Sequence, residues 1–226
     1  MKNVLYILTF IITTVAISQT TNSLDLEKQK LRQALVYGDI NVAASSMYAI
    51  INLEGPKSNY KDSLAYLYFN KRNYSSCFLV TDDILKYKPT NLELLEMKAI
   101  SLESLGAYGK AIEVYENVLT ITNNNYHAYK LAALQLALNK FEEAYVSIKK
   151  ANQLPDEGTV KITFQVNKNY NQNIDLKASI AYLEGIIAMN LEKAEDAKLS
   201  FERAVKLFPD FVLAKGKIES LNTEKE

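Results

Sequence analysis

Small and apolar residues recur along the chain with a period of about 34 residues. The small positions are Ala43, Cys77, Ala111, Ala144 and Ala197, in steps of 34, 34, 33 and 53 residues. Apolar or large residues follow four and seven positions later, as Tyr115 and Val118 follow Ala111. Offsets of four and seven residues lie on one face of an α-helix. The pattern therefore predicts one helix per period that buries a continuous stripe.

A second column of mostly small residues lies twelve positions before the first and predicts a partner helix in each unit. It consists of Leu31, Ala65, Ala99, Ala132 and Gly185. Turn-forming pairs such as Gly38-Asp39 and Gly106-Ala107 separate the two columns. The expected helix pairs are residues 24–57, 58–91, 92–124, 125–156 and 178–211, followed by a capping helix at 212–221.

The segment 157–177 interrupts the period. Val160, Ile162, Phe164 and Val166 alternate with polar residues, which is the period of a β-strand. The asparagine-rich stretch 167–173 that follows is predicted to be a polar loop. Two interpretations stay open for the strand: its apolar side packs on neighbouring helices, or its edge pairs with a strand of a partner or of a second copy.

The two columns resemble the tetratricopeptide-repeat family. The residues that carry the resemblance in the third unit are Ala99, Leu102, Gly106, Tyr108, Ala111, Tyr115 and Val118. Other matches are Leu64, Ala65 and Pro89 in the second unit, and Gly185, Phe201 and Pro209 in the last. The resemblance implies an all-α fold, a right-handed superhelical solenoid of about five helix pairs with a short β-like insertion and a C-terminal capping helix.

In this family the first helix of each pair lines a concave groove, so the resemblance also implies which residues bind a partner. By position these are Tyr66, Phe69, Ile100, Tyr126, Tyr129, Leu136, Tyr182, Ile186 and Met189. The lysine, asparagine and arginine positions with which some members clamp an acidic peptide tail hold Asp62, Tyr66, Met97 and Tyr126 here. That activity is not expected. The implied groove is aromatic and mildly acidic, which suits an apolar or basic peptide or helix.

The first eighteen residues are expected to be a secretory signal peptide. Lys2 is followed by an uncharged apolar run from Val4 to Ile17, which is shorter than the about 20 residues of a membrane-spanning helix. Small residues at Ala16 and Ser18 predict cleavage before Gln19, and an uncleaved membrane anchor is the alternative. Cleavage leaves 25 basic and 26 acidic residues, a net charge of −1, in a periplasmic or secreted protein.

The composition offers little material for catalysis. The net charge of zero provides no basic field for nucleic acid. Cys77, the only cysteine, is expected to be a buried packing residue, and His127, the only histidine, is expected to lie at the surface. One Cys and one His cannot form the usual zinc ligand sets. We therefore expect no enzyme activity, no metal and no cofactor.

Binding is the function that these observations favour. The leading hypothesis is a protein–protein interaction scaffold of the bacterial cell envelope, with a partner's peptide or helix in the concave groove. The alternative is an accessory module that binds cell-wall glycan or polysaccharide for an envelope enzyme, because tyrosine rings also stack on sugars.

Overall fold

The computed structural model describes residues 23–156 and 158–223, and within them the chain is helical apart from one β-hairpin. The predicted signal peptide lies outside the described residues. The helices are α1 (23–37), α2 (Ile40–Glu54), α3 (Tyr60–Asn70), α4 (Tyr74–Leu85), α5 (Leu92–Ser104), α6 (Tyr108–Thr122), α7 (Asn125–Ala137), α8 (Phe141–Gln153), α9 (Leu176–Asn190), α10 (Ala194–Leu207) and α11 (Val212–Thr223). The strands are β1 (Lys161–Asn167) and β2 (Tyr170–Asp175). The prediction of an all-α repeat fold with a short β insertion and a C-terminal helix is confirmed.

The described chain divides into two compact units, with the boundary between Ser101 and Leu102. In the described part of the first unit, α2 packs on α3 and α3 packs on α4. In the second unit, each helix from α6 to α10 packs on the next one along the chain, and α10 packs on α11. This nearest-neighbour packing is typical of helical-repeat proteins, in which one unit contacts mainly its neighbours.

The residues of the periodic columns lie in the core of the protein. The five small residues Ala43, Cys77, Ala111, Ala144 and Ala197 are all completely buried. The residues seven positions later are buried as well, from Ile50 to Ala204. Small side chains let two helix backbones approach, and the larger neighbours fill the remaining space. The prediction that Cys77 is a buried packing residue is confirmed, since its side chain is 0% exposed.

The turn inside each helix pair has the same backbone geometry five times in the described chain. One residue, five positions before each small residue, has a left-handed conformation, with φ between 56° and 72°. These residues are Gly38, Arg72, Gly106, Asn139 and Glu192. The next residue donates its backbone N–H to a carbonyl five positions earlier, at 2.8 or 2.9 Å. This bond satisfies a carbonyl at the helix end that would otherwise lack a partner.

The insertion forms an antiparallel hairpin, which corrects the prediction of a lone strand and a polar loop. β1 pairs with β2, from Lys161 opposite Asp175 to Asn167 opposite Tyr170. Its apolar side packs internally, because the ring centroid of Phe164 lies 5.4 Å from that of Tyr182 on α9 and 5.2 Å from that of Phe211. Of the two interpretations, packing on the neighbouring helices describes this side of the hairpin.

One buried carboxylate links three helices of the second unit. The side chain of Glu184 on α9 is 3% exposed and forms ion pairs with Lys149 of α8, at 2.6 Å, and with Arg203 of α10. It also accepts a hydrogen bond from Asn152 Nδ2 at 2.9 Å. A charge taken out of water is costly unless it is paired and hydrogen-bonded. These three partners compensate the charge of Glu184.

A substitution at Gly185 tests the close packing of α9 against Phe201 of α10. A Cβ atom at Gly185 would lie 2.5 Å from Cε1 of Phe201, whose ring is fully buried and cannot move aside freely. We expect Gly185→Ala to lower the free energy of unfolding by up to about 2 kcal/mol, because overpacking costs about 1–3 kcal/mol and the gain in helix propensity offsets about 1 kcal/mol of it. Urea unfolding followed by circular dichroism measures this change.

The matched control is Gly216→Ala in α11, where an added Cβ would meet no atom within 4 Å. This variant should be as stable as the parent or up to about 1 kcal/mol more stable. Equal stabilisation of both variants would contradict the close approach of α9 and α10 at Gly185.

Candidate functional site

An apolar cleft lies between one face of α3 and one face of α5 in the first unit. Tyr66, Phe69 and Asn70 stand at positions i, i+3 and i+4 of α3, and therefore share one side of that helix. The residues on α5 are Glu93, Glu96, Met97 and Ile100, which again follow helical spacing. The volume of this α3–α5 cleft is about 230 Å³.

The walls of the α3–α5 cleft are fixed by capping and ion pairs. Asn91 accepts a hydrogen bond from the backbone N–H of Leu94 at 3.0 Å, which begins α5. Lys98 of α5 pairs with Asp82 of α4 at 2.6 Å. The ring of Phe69 meets the ring of Tyr74 edge to face, with 6.2 Å between centroids. These contacts hold the side chains of the cleft on a stable frame.

The charge of the cleft is negative. Glu93 is exposed and Glu96 is half-buried, and the seven lining residues include no cation. Met97 forms the floor and is only 4% exposed, whereas Tyr66, Phe69 and Ile100 are half-buried and keep part of their apolar surface accessible. The arrangement offers apolar contact at its centre and carboxylates at its margin.

Three of the nine predicted partner-binding residues meet in this cleft: Tyr66, Phe69 and Ile100. Met97 and Asn70 also line it and were absent from the predicted set. Their helical spacing could have identified them. Met97 lies four residues after Glu93, and Asn70 lies four residues after Tyr66, so each pair shares a helix face.

The other six predicted residues lie in the second unit, and the structure gives them mainly packing roles. Tyr129 is 7% exposed, which corrects its assignment as an accessible contact. Tyr182 packs among the rings of Phe164, Phe201 and Phe211, at centroid distances of 5.4, 5.6 and 4.9 Å.

Ile186 and Met189 pack against a buried cluster that includes Phe201 and Leu221 of the C-terminal helix. Tyr126 and Leu136 are half-buried on α7. The residues of α9 therefore contribute to the core more than to an open surface, because the hairpin and the chain that follows α10 cover them.

His127 is buried, which corrects the expectation of a surface histidine. It is 7% exposed, its Nδ1 lies 2.9 Å from Oγ1 of Thr122, and its ring centroid lies 5.6 Å from that of Tyr126, with the two ring planes tilted by 59°. Burial raises the pKa of the Cys77 thiol. A buried, protonated thiol is a poor nucleophile.

No group of three or more His, Cys, Asp or Glu side chains in the described residues is placed to hold a metal ion. None of the helices in the described chain combines the length and apolar character that crossing a bilayer requires.

Comparison with known proteins identifies the repeat. The family model for the tetratricopeptide repeat matches residues 92–125 and 175–211. The solved structure of YrrB, described as a TPR protein with an unusual peptide-binding site, has a TM-score of 0.66 at 15% identity and covers 91% of this chain and 97% of its own.

MamA 41-end from Desulfovibrio magneticus RS-1 has a TM-score of 0.60 at 17% identity, with 76% and 86% of the two chains covered. A tetratricopeptide repeat protein from Parabacteroides merdae ATCC 43184 has a TM-score of 0.61 at 15% identity, with 88% and 72% covered. A sequence search of curated proteins gives no match. At these identities the structural likeness shows the fold alone.

Tyr129 and Tyr182 of the second unit should make the protein less stable at alkaline pH. Burial raises the pKa of Tyr129, with smaller contributions from Tyr126, Glu103 and Tyr182, and burial also raises the pKa of Tyr182. Their stabilising effect is fully present below the unfolded pKa of about 10 and is lost as the pH rises through the higher folded values. We expect the free energy of unfolding to fall above about pH 10, and to fall less steeply in Tyr129→Phe.

Denaturant unfolding at a series of pH values measures this slope. Tyr37→Phe, at an exposed position of α1, is the control and should keep the slope of the parent. An identical slope in Tyr129→Phe would contradict the role assigned to the buried phenol.

Proposed function

Since the chain is a tetratricopeptide-repeat protein, we propose that it is an interaction scaffold of the bacterial cell envelope that binds a peptide or helix of a partner in the α3–α5 cleft. Tetratricopeptide-repeat scaffolds mediate protein–protein interactions. The observation that carries the proposal is the meeting of Tyr66, Phe69 and Ile100 beside Glu93 in one cleft. These residues come from the first helices of two consecutive pairs.

The size of the cleft indicates how a partner binds. A volume of 230 Å³ is below the about 300–1,000 Å³ of a typical small-molecule site. It suits an apolar anchor side chain, while the rest of the peptide or helix runs along α3 and α5. Aromatic and aliphatic anchors in such pockets contribute most of the affinity of an interface.

The acidic margin indicates the charge of the partner. The exposed Glu93 favours a segment with Lys or Arg close to its apolar anchor, and disfavours an acidic segment. The expected ligand is therefore an apolar anchor flanked by a basic residue. Its affinity should decrease with added salt, because exposed charges are screened within about 10 Å at 0.1 M ionic strength.

A peptide panel tests the α3–α5 cleft. Peptides with a leucine or phenylalanine anchor, flanked by lysine or by glutamate, are titrated against the protein by fluorescence anisotropy. We expect the lysine series to bind more tightly, Ile100→Ala to weaken binding about tenfold through loss of apolar contact, and Glu93→Lys to remove the preference for lysine.

Two variants outside the cleft serve as matched controls: Val36→Ala for the apolar change and Glu113→Lys for the charge change, both at exposed positions. They should bind like the parent. A photoreactive side chain at Asn70 should crosslink the bound peptide, whereas one at Gln33 should not. Equal loss of affinity in cleft and control variants, or equal crosslinking at both positions, would contradict the proposal.

Export of the protein to the envelope can be tested separately. We expect that the protein expressed in a bacterium is exported and that its mature form begins at Gln19, since small residues precede this position. Osmotic-shock fractionation followed by N-terminal sequencing measures both. A chain that keeps Met1 and stays in the membrane fraction would instead indicate an uncleaved anchor.

A further inference from the structure

A second, more polar pocket lies in the first unit, at the surface of α2. Ile40, Asn41, Ala44, Ser45 and Tyr48 line one side and stand on a single face of α2. The other side is lined by Tyr68 and Lys71 at the end of α3 and by Asn73 at the start of α4. The volume of this tyrosine-pair pocket is about 590 Å³, within the usual range of ligand sites.

The two tyrosines are joined through their hydroxyl groups. Tyr48 Oη and Tyr68 Oη lie 3.1 Å apart. One of the two protons is used in this hydrogen bond, so the pair still offers one donor and several lone pairs to a ligand. Burial, together with the hydrogen bond between the Tyr68 and Tyr48 hydroxyls, raises the pKa of Tyr68 to about 12. Tyr68 is therefore neutral near pH 7 and acts by hydrogen bonding.

The remaining polar groups of the lining are two amides, a hydroxyl and one cation, and Ile40 and Ala44 add apolar surface. Oδ1 of Asn73 accepts a hydrogen bond from the backbone N–H of Ser76, which orients its side chain. Ser45 and Asn41 add a hydroxyl and an amide. Lys71 is exposed, and the lining residues include no carboxylate. The charge of this pocket is thus opposite to that of the α3–α5 cleft.

We propose that the tyrosine-pair pocket binds a carboxylate-bearing sugar unit of an envelope glycan. A pyranose ring carries many hydroxyls that each donate and accept, which matches the tyrosine pair, Ser45 and Asn41. Its C–H face packs on the half-exposed ring of Tyr48, whose face is electron-rich. Lys71 pairs with the carboxylate. This is a binding activity beyond the proposed protein scaffold, at different residues.

Two glycans share this chemistry: the lactyl carboxylate of a muramic acid in cell-wall glycan, and the uronic acid of a polysaccharide. A peptide C-terminus also has a carboxylate, but the many hydroxyls of a sugar ring match the hydroxyls and amides of Tyr48, Ser45 and Asn41 better than a peptide does. The proposal therefore commits to a saccharide and leaves the two glycan sources to experiment.

The test is titration of the ¹⁵N-labelled protein with four probes, followed by amide chemical shifts. The probes are a muramic acid-containing disaccharide, a glucuronic acid oligosaccharide, a neutral N-acetylglucosamine oligomer and a short peptide with a free C-terminus. We expect an acidic saccharide to shift amides around Tyr48 and Tyr68, and to bind at least about fivefold more tightly than the neutral oligomer. Which acidic probe binds identifies the glycan source.

Variants then assign the contacts. Tyr48→Phe should weaken saccharide binding about fivefold, as expected for one lost hydrogen bond, and Lys71→Gln should remove the preference for acidic sugars. Tyr37→Phe and Lys57→Gln, both exposed and outside the pocket, are the controls. If Tyr48→Phe loses its helical content, Ser45→Ala replaces it.

Three outcomes would overturn the proposal: no saccharide shifts these amides, the peptide binds as well as the sugars, or Tyr48→Phe and Ser45→Ala both bind sugar like the parent. Ile100→Ala separates this proposal from the peptide cleft, because it should reduce peptide binding and leave saccharide binding unchanged.

Discussion

The structure depends on one steric constraint, the close approach of helices at small residues. In each of the five helix pairs that the structure describes, a small residue of the second helix is completely buried, and in four of them the residue twelve positions earlier is alanine or glycine. At Gly185 the approach is so close that no Cβ fits beside Phe201. We infer that the geometry of both proposed binding surfaces depends on this constraint, because the spacing of the helices sets the width of each cleft.

Much of the fold could be predicted because this constraint leaves a period in the sequence. The columns at Ala43, Ala111 and Ala197 mark second helices, and the columns at Ala65 and Gly185 mark first helices. Strand β2 was missed for a physical reason: Tyr170–Asp175 has only Ile174 as an aliphatic residue, so no alternation of apolar and polar side chains distinguishes it from a loop. Its stability comes from pairing with β1.

The candidate site was only partly predictable. Position on a first helix grouped Tyr66, Phe69 and Ile100, which line one cleft in the structure, and their binding of a partner stays a prediction. The same rule placed Tyr129 and Tyr182 at an accessible surface, although the first is buried and the second is enclosed by rings of the hairpin and of the chain before α11. Local spacing determines which face of a helix a residue occupies, whereas long-range packing determines whether that face stays open. The burial of Glu184 and His127 could not be predicted for the same reason. Their contacts with Lys149, Arg203 and Thr122 do not recur with the repeat period.

The side chain of Gln172 hydrogen-bonds the hairpin to the segment that precedes and begins α11. Nε2 of Gln172 donates a hydrogen bond to the carbonyl of Asp210 at 2.6 Å. Oε1 of the same amide accepts one from the backbone N–H of Val212 at 3.0 Å. The Gln172 amide therefore pairs with the backbone on both sides of Phe211. Phe164 and Phe211 join the same two segments by ring contact. The insertion and the terminal helix should therefore unfold together as one cooperative unit. The residues that interrupt the repeat pattern should thus protect the last repeat from fraying.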